Sequence, residues 1–239
     1  MLFRSLLLVN GREESLQRVL KRGCWTPVEQ FGGSTGWHLG EAGPDELAIC
    51  HEGRLVGRTR WQLLGEHNRL NALAVVAAAR HAGVDPRAAV EALADFRNVK
   101  RRMEVKGVAA GVTVYDDFAH HPTAIATTVA GLRQKVGPAR ILAVLEPRSN
   151  TMKLGVMKDQ LPASLAAADQ VFCYTGGLGW DAAAALAPMG ARARCDGDLP
   201  ALVQAVVSFA RTGDHVLVMS NGGFQGVHQK LLEALGAGR

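Results

Sequence analysis

Two acids and two histidines stand close together near the middle of this 239-residue chain. Asp116 and Asp117 end a predicted strand, and His120 and His121 precede a predicted helix over Thr123–Val136. Adjacent carboxylates repel one another unless one of them faces a cation, a ribose hydroxyl or a helix N-terminus. A metal ion is one such partner, but neighbouring histidines have poor geometry for sharing one ion. The pattern therefore favours contacts with the sugar and phosphates of a nucleotide.

A second polar cluster lies at the start of a predicted helix over Asn68–Ala82. Asn68 and Asn71 are three residues apart and share one helix face, and His67 precedes them. A pair of carboxamides can both donate to and accept from the edge of a purine. A simple helix cap explains one asparagine, but not two asparagines with a histidine, so the cluster is a candidate purine site.

Three further segments could bind anions. Arg101 and Arg102 open a predicted strand, and an arginine fork suits phosphate, although a solvated basic turn explains the pair almost as well. Two loops follow buried strands and offer a guanidinium, hydroxyls, amides and glycine N–H groups to a carboxylate or phosphate, the alternative for each being a polar turn. Their candidate residues are Arg148, Ser149, Asn150 and Thr151 in the first loop and Ser220, Asn221, Gly222 and Gly223 in the second.

Two familiar motifs are missing or out of context. No Gly-Lys dipeptide occurs, so the phosphate-binding pattern G-x-x-x-x-G-K-[ST] is absent from the sequence. Gly32–Gly36 matches the hydrolase pattern G-x-S-x-G, but no helical pattern follows it, which predicts a turn. Whatever activates a phosphate for this protein is therefore not wholly in this chain.

The elements that must position these residues alternate between strands and helices. Apolar strands such as ILAVL and HVLVM separated by amphipathic helices indicate a parallel sheet covered on both faces. We predict an α/β fold for residues 65–239, a doubly wound, mostly parallel, Rossmann-like sheet with its ligand site beyond the carboxyl ends of the strands. The predicted strands are Met103–Val108, Val112–Asp116, Arg140–Leu145, Gln170–Tyr174, Ala191–Cys195 and Asp214–Met219. The other predicted helices are Pro86–Phe96 after an Asp85 cap, Met157–Ala168, Asp181–Ala187, Leu199–Arg211 and Val227–Leu235.

Residues 1–64 show no core of their own. Ser5–Val9 predicts a short strand, and Asn10 with Glu13 predicts a capping box for a helix that ends at Gly23. An extended segment over Pro27–Phe31 and a hairpin of Glu46–Cys50 with Arg54–Trp61 follow. We expect residues 1–64 to be the end of one domain and residues 65–239 to form the next.

The composition is that of a globular protein. Apolar residues make up 48% and charged residues 21%, which excludes a disordered or collagen-like chain. The net charge of +5 favours anionic ligands, but no aromatic residue adjoins the basic cluster at residues 100–102, so nucleic-acid binding is not expected. No apolar run approaches the length of a membrane span. The four scattered cysteines predict free, buried thiols and a cytoplasmic location.

Three of these segments, in this order and spacing, resemble the C-terminal domain of the Mur ligase family, which are ATP-dependent amide ligases of bacterial cell-wall synthesis. They are Gly65–Asn71, Arg101–Glu104 and Asp116–Pro122. The string DDFAHHPTAI is similar to the histidine-containing branch that uses UDP-N-acetylmuramate. With LLGEHNRLNALA, LEPRSNTMKLG and MSNGGFQGVHQKL, the sequence most resembles members that join a murein tripeptide, L-alanyl-γ-D-glutamyl-meso-diaminopimelate, to that sugar nucleotide in peptidoglycan recycling.

The resemblance implies a mechanism through an acyl phosphate, with ATP and Mg²⁺ as cofactors. ATP phosphorylates the muramate carboxylate, and the peptide amine then displaces phosphate. By resemblance, His67, Asn68 and Asn71 hold adenine, Asp117 contacts the ribose, and Arg102 and His120 are the catalytic residues that approach the phosphates. The loops Arg148–Thr151 and Ser220–Gly223 would meet the peptide, and no metal ligand is expected in this chain.

The same resemblance places the family's P-loop and Mg²⁺ ligands in a central domain and its uridine site in an N-terminal domain. Residues 1–64 resemble only the tail of the central ATPase domain, whereas residues 65–239 resemble a whole C-terminal domain. We therefore expect the chain alone to be inactive and to bind ATP weakly at best. Two alternatives stay open: a UDP-N-acetylmuramate–L-alanine ligase, and a non-catalytic Rossmann-like nucleotide-binding module.

Overall fold

The computed structural model describes residues 5–43 and 45–237. Residues 1–4, 44, 238 and 239 lie outside the described residues. The chain divides into two compact units between Asn98 and Val99. Each unit is built around one β-sheet, of five strands in the first unit and six in the second.

The first unit holds a mixed sheet with the strand order β1-β2-β3-β4-β5. Its first three strands pair in parallel, and the last two are added antiparallel. The strands are β1 (Leu7–Asn10), β2 (Val28–Phe31), β3 (Trp37–Leu39), β4 (Glu46–His51) and β5 (Arg54–Arg60), and the helices are α1 (Glu14–Leu20), α2 (Glu66–His81) and α3 (Pro86–Ala92), which a 3-10 turn over Leu93–Asp95 extends.

The core of this unit depends on the helices after residue 64. Trp37 and Ile49 of the sheet pack against Leu73 and Val76 of α2 and Val90 of α3, and all five are fully buried. This packing explains why residues 1–64 show no core of their own. The compact units consequently divide after Asn98, further along the chain than the boundary predicted between residues 64 and 65. The assignment of each part to a Mur ligase domain stays a prediction.

The second unit is a doubly wound sheet with the strand order β10-β9-β8-β11-β7-β6. All strands pair in parallel except β6, which forms an antiparallel hairpin with β7. The strands are β6 (Glu104–Ala109), β7 (Val112–Asp117), β8 (Ile141–Leu145), β9 (Gln170–Tyr174), β10 (Ala193–Asp196) and β11 (His215–Met219), and the helices are α4 (Pro122–Val136), α5 (Asn150–Lys153), α6 (Leu161–Ser164), α7 (Ala182–Leu186), α8 (Leu199–Phe209) and α9 (Val227–Ala237).

Both faces of this second sheet are buried, which confirms the predicted fold class. Along β8, Ile141 and Leu145 face a core that α4 completes, whereas Leu142 and Val144 face a second core that α8 and α9 complete. A strand buried on both sides needs apolar residues at every position, and this requirement produces the continuous pattern ILAVL.

Two local predictions are wrong, and one element was missed. Asn10 forms no capping box, because its side chain accepts from the Arg12 N–H at 3.0 Å and α1 begins four residues later. The predicted helix Met157–Ala168 is instead a 3-10 turn over Lys158–Gln160 followed by the one-turn α6, since Pro162 has no N–H to continue a helix. Strand β3 was not predicted.

The cysteines are all free, but the prediction that they are buried holds only for Cys173. Cys24 is exposed, and Cys50 and Cys195 are partly exposed. None of the helices in the described residues is long and apolar enough to cross a membrane.

An ion pair at the amino ends of β8 and β11 makes stability depend on pH. Arg140 Nε donates to Asp214 Oδ1 at 2.9 Å, and the Arg211 N–H donates to Oδ2 at 2.7 Å. Burial alone would raise the pKa of Asp214, but these hydrogen bonds hold it below its ordinary value. A carboxyl with a lowered folded pKa contributes stability above its unfolded pKa, about 3.9, and loses it as the pH falls through the folded pKa.

We therefore expect Asp214→Asn to be less stable than the parent chain by about 1–3 kcal/mol at neutral pH. The difference in the free energy of unfolding should shrink as the pH falls below about 4. Urea denaturation followed by circular dichroism across this pH range measures both quantities. Stability curves that run parallel for the two proteins at all pH values would contradict the assignment.

Candidate functional site

Three loops of the second unit are joined at the carboxyl ends of β7, β8 and β11. The Ser220 N–H donates to the Asp117 carbonyl at 3.1 Å, and the Glu146 N–H donates to the Met219 carbonyl at 3.1 Å. The Ser220 hydroxyl also hydrogen-bonds the Glu146 carboxylate and accepts from the Gly222 N–H at 2.9 Å. The predicted ligand edge of the sheet is thus one connected polar surface.

Arg101, which precedes the β6–β7 hairpin, binds the loop after β11. Its Nη2 donates to the Ser220 carbonyl at 2.6 Å and to the Gly222 carbonyl at 2.8 Å, and its Nε lies 3.2 Å from Asp116 Oδ2. The backbone of Arg101 has φ +61°, a left-handed conformation that is uncommon outside glycine. The side chain is therefore a structural clamp on the β11 loop, a role that the sequence did not indicate.

The two aspartates of the motif are both buried, but in different surroundings. Asp116 lies between Arg101 and His228, whose Nε2 is 3.1 Å from Asp116 Oδ1. Burial would raise the pKa of Asp116, but His228 and Arg101 together hold it below its ordinary value. This carboxylate is an ionised anchor beneath the loops.

Asp117 is only 2% exposed, and its carboxylate accepts hydrogen bonds from other groups of this chain. Its carboxylate accepts from the N–H groups of Met103 and Ala119, each at 2.8 Å, and from the Thr128 hydroxyl at 3.3 Å. These bonds join the end of β7 to the middle of α4 and to the backbone of Met103, so the described geometry gives Asp117 a structural role. The ribose contact expected from the resemblance stays a prediction.

Phe118 positions the two residues expected to approach phosphate. The Arg102 guanidinium lies 5.8 Å from the Phe118 ring centre, and the His120 ring meets Phe118 edge-on at 5.3 Å. His120 Nδ1 is 2.7 Å from the Phe118 carbonyl, a contact that fixes the proton on Nδ1 of the neutral ring and leaves Nε2 as the acceptor. Arg102 is exposed and His120 is half-buried. The two side chains therefore share one aromatic support.

The loop after β8 lies directly against the loop after β11. A Cβ atom at Gly222 would lie 1.9 Å from Arg148 Nη1, so the guanidinium occupies the space that any side chain there would take. Ser149 caps α5 by accepting from the Met152 N–H at 3.4 Å, and Asn150 and Thr151 are exposed in the first turn of that helix. The structure brings the two predicted peptide-contacting loops together.

The segment Ser220–Gly223 ranges from fully buried to exposed. Ser220 is 1% exposed, whereas Gly223 is exposed. Asn221 Oδ1 is buried and has no hydrogen-bond partner among the described residues. A buried acceptor without a donor costs free energy, so Asn221 is a candidate contact for an N–H donor of a ligand.

The remaining predicted residues belong to the first unit, at the start of α2. His67 and Asn71 are exposed, and Asn68 is half-buried with its Nδ2 donating to the Leu64 carbonyl at 2.7 Å. Gly65 has φ +85°, and the His67 ring folds back over it, since a Cβ at Gly65 would lie 2.7 Å from the ring. The Arg12 side chain pairs with Glu66 and also bonds the Gly32 carbonyl, so α2 starts beside the Gly32–Gly36 turn.

Sequence reasoning missed two anchors of the site besides Arg101. Glu146 directly follows the buried strand β8, a position from which a polar group at this sheet edge could have been predicted. His228 lies in α9 and carried no such signal. Among the described residues, no group of three or more His, Cys, Asp or Glu side chains could hold a metal ion.

The fold and the site together define a class. The second unit is a doubly wound α/β domain whose arginine-rich and glycine-rich loops meet at the carboxyl edge of a parallel sheet, the edge where such folds bind ligands. The family described as Mur ligase, glutamate ligase domain, matches residues 101–222. The chain belongs to the Mur ligase family.

Two relatives of this chain carry the same ligase name. It is 49% identical over 225 residues to UDP-N-acetylmuramate–L-alanyl-gamma-D-glutamyl-meso-2,6-diaminoheptandioate ligase of Escherichia coli K12, covering 92% of this chain and 49% of that protein. It is 45% identical over 234 residues to the same-named ligase of Haemophilus influenzae, covering 96% and 52%. A crystal structure of a murein peptide ligase from Psychrobacter arcticus superimposes with a TM-score of 0.75 at 34% identity, over 97% of this chain and 51% of that one. The chain spans about half the length of the curated relatives it matches.

Proposed function

We propose that this chain is the C-terminal part of an ATP-dependent murein peptide ligase. That enzyme would join L-alanyl-γ-D-glutamyl-meso-diaminopimelate to UDP-N-acetylmuramate through an acyl phosphate, in peptidoglycan recycling. The observation that carries the proposal is the 49% identity to the Escherichia coli ligase, whose name states these substrates. Because ATP is a cytoplasmic substrate, we also propose a cytoplasmic location.

The loops after β8 and β11 suit the incoming peptide, which carries several carboxylates and a free amine. Arg148 offers a guanidinium beside the backbone of Gly222, and a guanidinium binds carboxylate in a planar, bidentate manner. The unpartnered Asn221 Oδ1 suits an ammonium or amide N–H of the same ligand. Ser149, Asn150, Thr151 and Gly223 would complete this contact surface.

Each unit, taken by itself, carries residues whose chemistry suits one part of ATP. His67 and Asn71 are exposed on the first turns of α2, where a ring and a carboxamide can contact adenine, while Asn68 Oδ1 remains as an acceptor beside them. Arg102 and His120 would approach the phosphates and offset their negative charge, which is most of what phosphoryl transfer requires of a protein. The described residues hold no cluster of three or more His, Cys, Asp or Glu side chains that could bind Mg²⁺, so no step through the metal is assigned to them.

The proposal can be tested by fusing this chain behind the first half of the Escherichia coli relative. We expect the fusion to hydrolyse ATP only when UDP-N-acetylmuramate and the tripeptide are both present. Arg148→Ala should lower kcat/KM for the tripeptide about 10- to 100-fold, since a lost charged hydrogen bond costs about 1.5–3 kcal/mol. Arg194→Ala, an exposed arginine on the edge strand β10, is the matched control and should leave kcat/KM unchanged.

The amine acceptor that the fusion uses distinguishes the proposed function from its two alternatives. A fusion that joins L-alanine but not the tripeptide would make this chain part of a UDP-N-acetylmuramate–L-alanine ligase. A fusion that binds nucleotide but turns over no acceptor would favour the non-catalytic module. The 239-residue chain by itself should show no steady ATP turnover, and turnover by it would contradict the dependence on a preceding domain.

A further inference from the structure

Two cysteines of the second unit are direct neighbours across parallel strands. Cys195 of β10 is the register partner of Cys173 of β9. Adjacent strands lie about 4.7–4.9 Å apart, and disulfides join Cα atoms about 4.4–6.8 Å apart. Both side chains lie on the same face of the sheet, because Cys173 belongs to the core beneath α4 and Cys195 packs against that core. The strand pairing therefore places two thiols at a separation that a disulfide can span.

The two thiols differ in exposure. Cys173 is fully buried, whereas Cys195 is partly exposed and lines a cavity of about 440 Å³ together with Trp180, Asp181 and Asp196. A solute that enters from solvent therefore meets Cys195 first. Cys173 does not line this cavity.

The two thiols also differ in reactivity. The neighbouring Cys173 thiol lowers the pKa of the Cys195 thiol, against the opposing effects of burial and Asp181. The Cys195 neighbour, together with full burial, raises the pKa of Cys173. Because the thiolate is the nucleophile, Cys195 is the thiol that reacts first.

The charges around the cavity select the oxidant. Asp181 and Asp196 line it, and Arg194 lies 3.8 Å from Asp196 and offsets one of these charges only in part. An acidic entrance disfavours anionic disulfides such as oxidised glutathione but does not exclude a small neutral hydroperoxide.

The position of β10 at the edge of the sheet permits the two cysteines to form a disulfide. β10 is an edge strand of four residues that pairs with β9 on one side only. A strand held by a single ladder can shift by the small distance that brings two sulfur atoms into bonding contact. A central strand, held on both sides, would resist such a shift.

We propose that Cys173 and Cys195 form a reversible disulfide when the protein meets a hydroperoxide. The Cys195 thiolate attacks the peroxide oxygen, which gives Cys195 sulfenic acid and releases an alkoxide or hydroxide. The Cys173 sulfur then attacks the Cys195 sulfur, so that the S–S bond forms, the S–O bond breaks, and the sulfenic hydroxyl leaves with the Cys173 thiol proton as water. This inference is independent of the proposed ligase activity.

Tryptic mass spectrometry after hydrogen peroxide treatment tests the pair directly. Cleavage after Lys158, Arg192 and Arg194 separates Cys173, in the peptide 159–192, from Cys195, in the peptide 195–211. We expect these two peptides to appear as one linked species that loses two hydrogen atoms and separates again with dithiothreitol. Cys24 and Cys50 share a third peptide, 23–54, and should not join the linked species.

Substitutions assign the order of reaction. Cys195→Ser should abolish the link and leave Cys173 as a thiol, and Cys173→Ala should leave a Cys195 sulfenic acid that dimedone traps. If Cys173→Ala does not fold, the partly exposed Cys195→Ser carries the test alone. The control Cys24→Ser should form the link as the parent does.

Two outcomes would overturn the proposal. One is Cys195 oxidised to sulfinic or sulfonic acid while Cys173 stays reduced in the parent chain. The other is a disulfide that joins Cys195 to Cys24 or Cys50 in place of Cys173.

Discussion

Arg101→Ala is expected to destabilise the second unit by about 3 kcal/mol, because it removes the donor to two loop carbonyls and one partner of a buried carboxylate. Arg101 Nη2 bonds the Ser220 and Gly222 carbonyls, and its Nε lies against Asp116, which is 5% exposed. The loss also leaves His228, whose Nε2 is 3.1 Å from Asp116 Oδ1, as the remaining side-chain neighbour on that carboxylate. Urea denaturation gives the change in the free energy of unfolding, and hydrogen exchange should show faster exchange at the ends of β7 and β11.

Its sequence neighbour provides the matched control. Arg102 is exposed and lies over the same Phe118 ring, so Arg102→Ala should change the free energy of unfolding by less than about 0.5 kcal/mol. In the fusion enzyme, Arg102→Ala should lower kcat, whereas the free energy of unfolding should stay unchanged. Equal stability losses for the two variants would contradict the clamp assigned to Arg101.

Trp37→Ala is expected to cost the first unit about 3–5 kcal/mol, the range for removing a large buried aromatic side chain. Trp37 is 0% exposed, its Nε1 donates to Glu29 Oε1 at 2.9 Å, and its ring lies 4.3 Å from that of His51. Its loss opens a cavity beneath α2 and removes a donor from Glu29. Chemical denaturation followed by circular dichroism measures the effect without relying on tryptophan fluorescence.

Trp25→Ala is the matched control, because Trp25 is 94% exposed in the same unit. Its free energy of unfolding should stay within about 0.5 kcal/mol of the parent chain. Trp37→Phe keeps most of the volume but not the N–H and should fall between the two, at about 1 kcal/mol. A similar loss for Trp25→Ala and Trp37→Ala would contradict the described core.

Elements with a clear local pattern of residue types were predictable. The helices α2 and α4 and the strands β9 and β11 were expected within one or two residues of their observed ends. Their signals are local, since caps, prolines at helix starts and continuous apolar strands act on the residues that carry them. Asp85 illustrates this, because its side chain caps α3 as its position before Pro86 predicts.

Elements that depend on distant partners were not predictable in the same way. β3 has only three residues, too few to show a period, and it exists because it lies between β2 and β4. The division of the chain after Asn98 follows from α2 and α3 covering the first sheet, which no local pattern encodes.

The candidate site likewise has features that the sequence predicts and features that only the tertiary contacts determine. The residue types and their spacing were enough to mark the loops Arg148–Thr151 and Ser220–Gly223, because polar residues after buried parallel strands are brought to one edge by the fold class alone. Which arginine holds the loops and which remains exposed was set by the left-handed backbone at Arg101 and by carbonyls more than a hundred residues away. The residue types that a loop offers can be read from consecutive positions of the sequence. Which of two neighbouring side chains holds the loops depends on contacts that form only once the strands have paired.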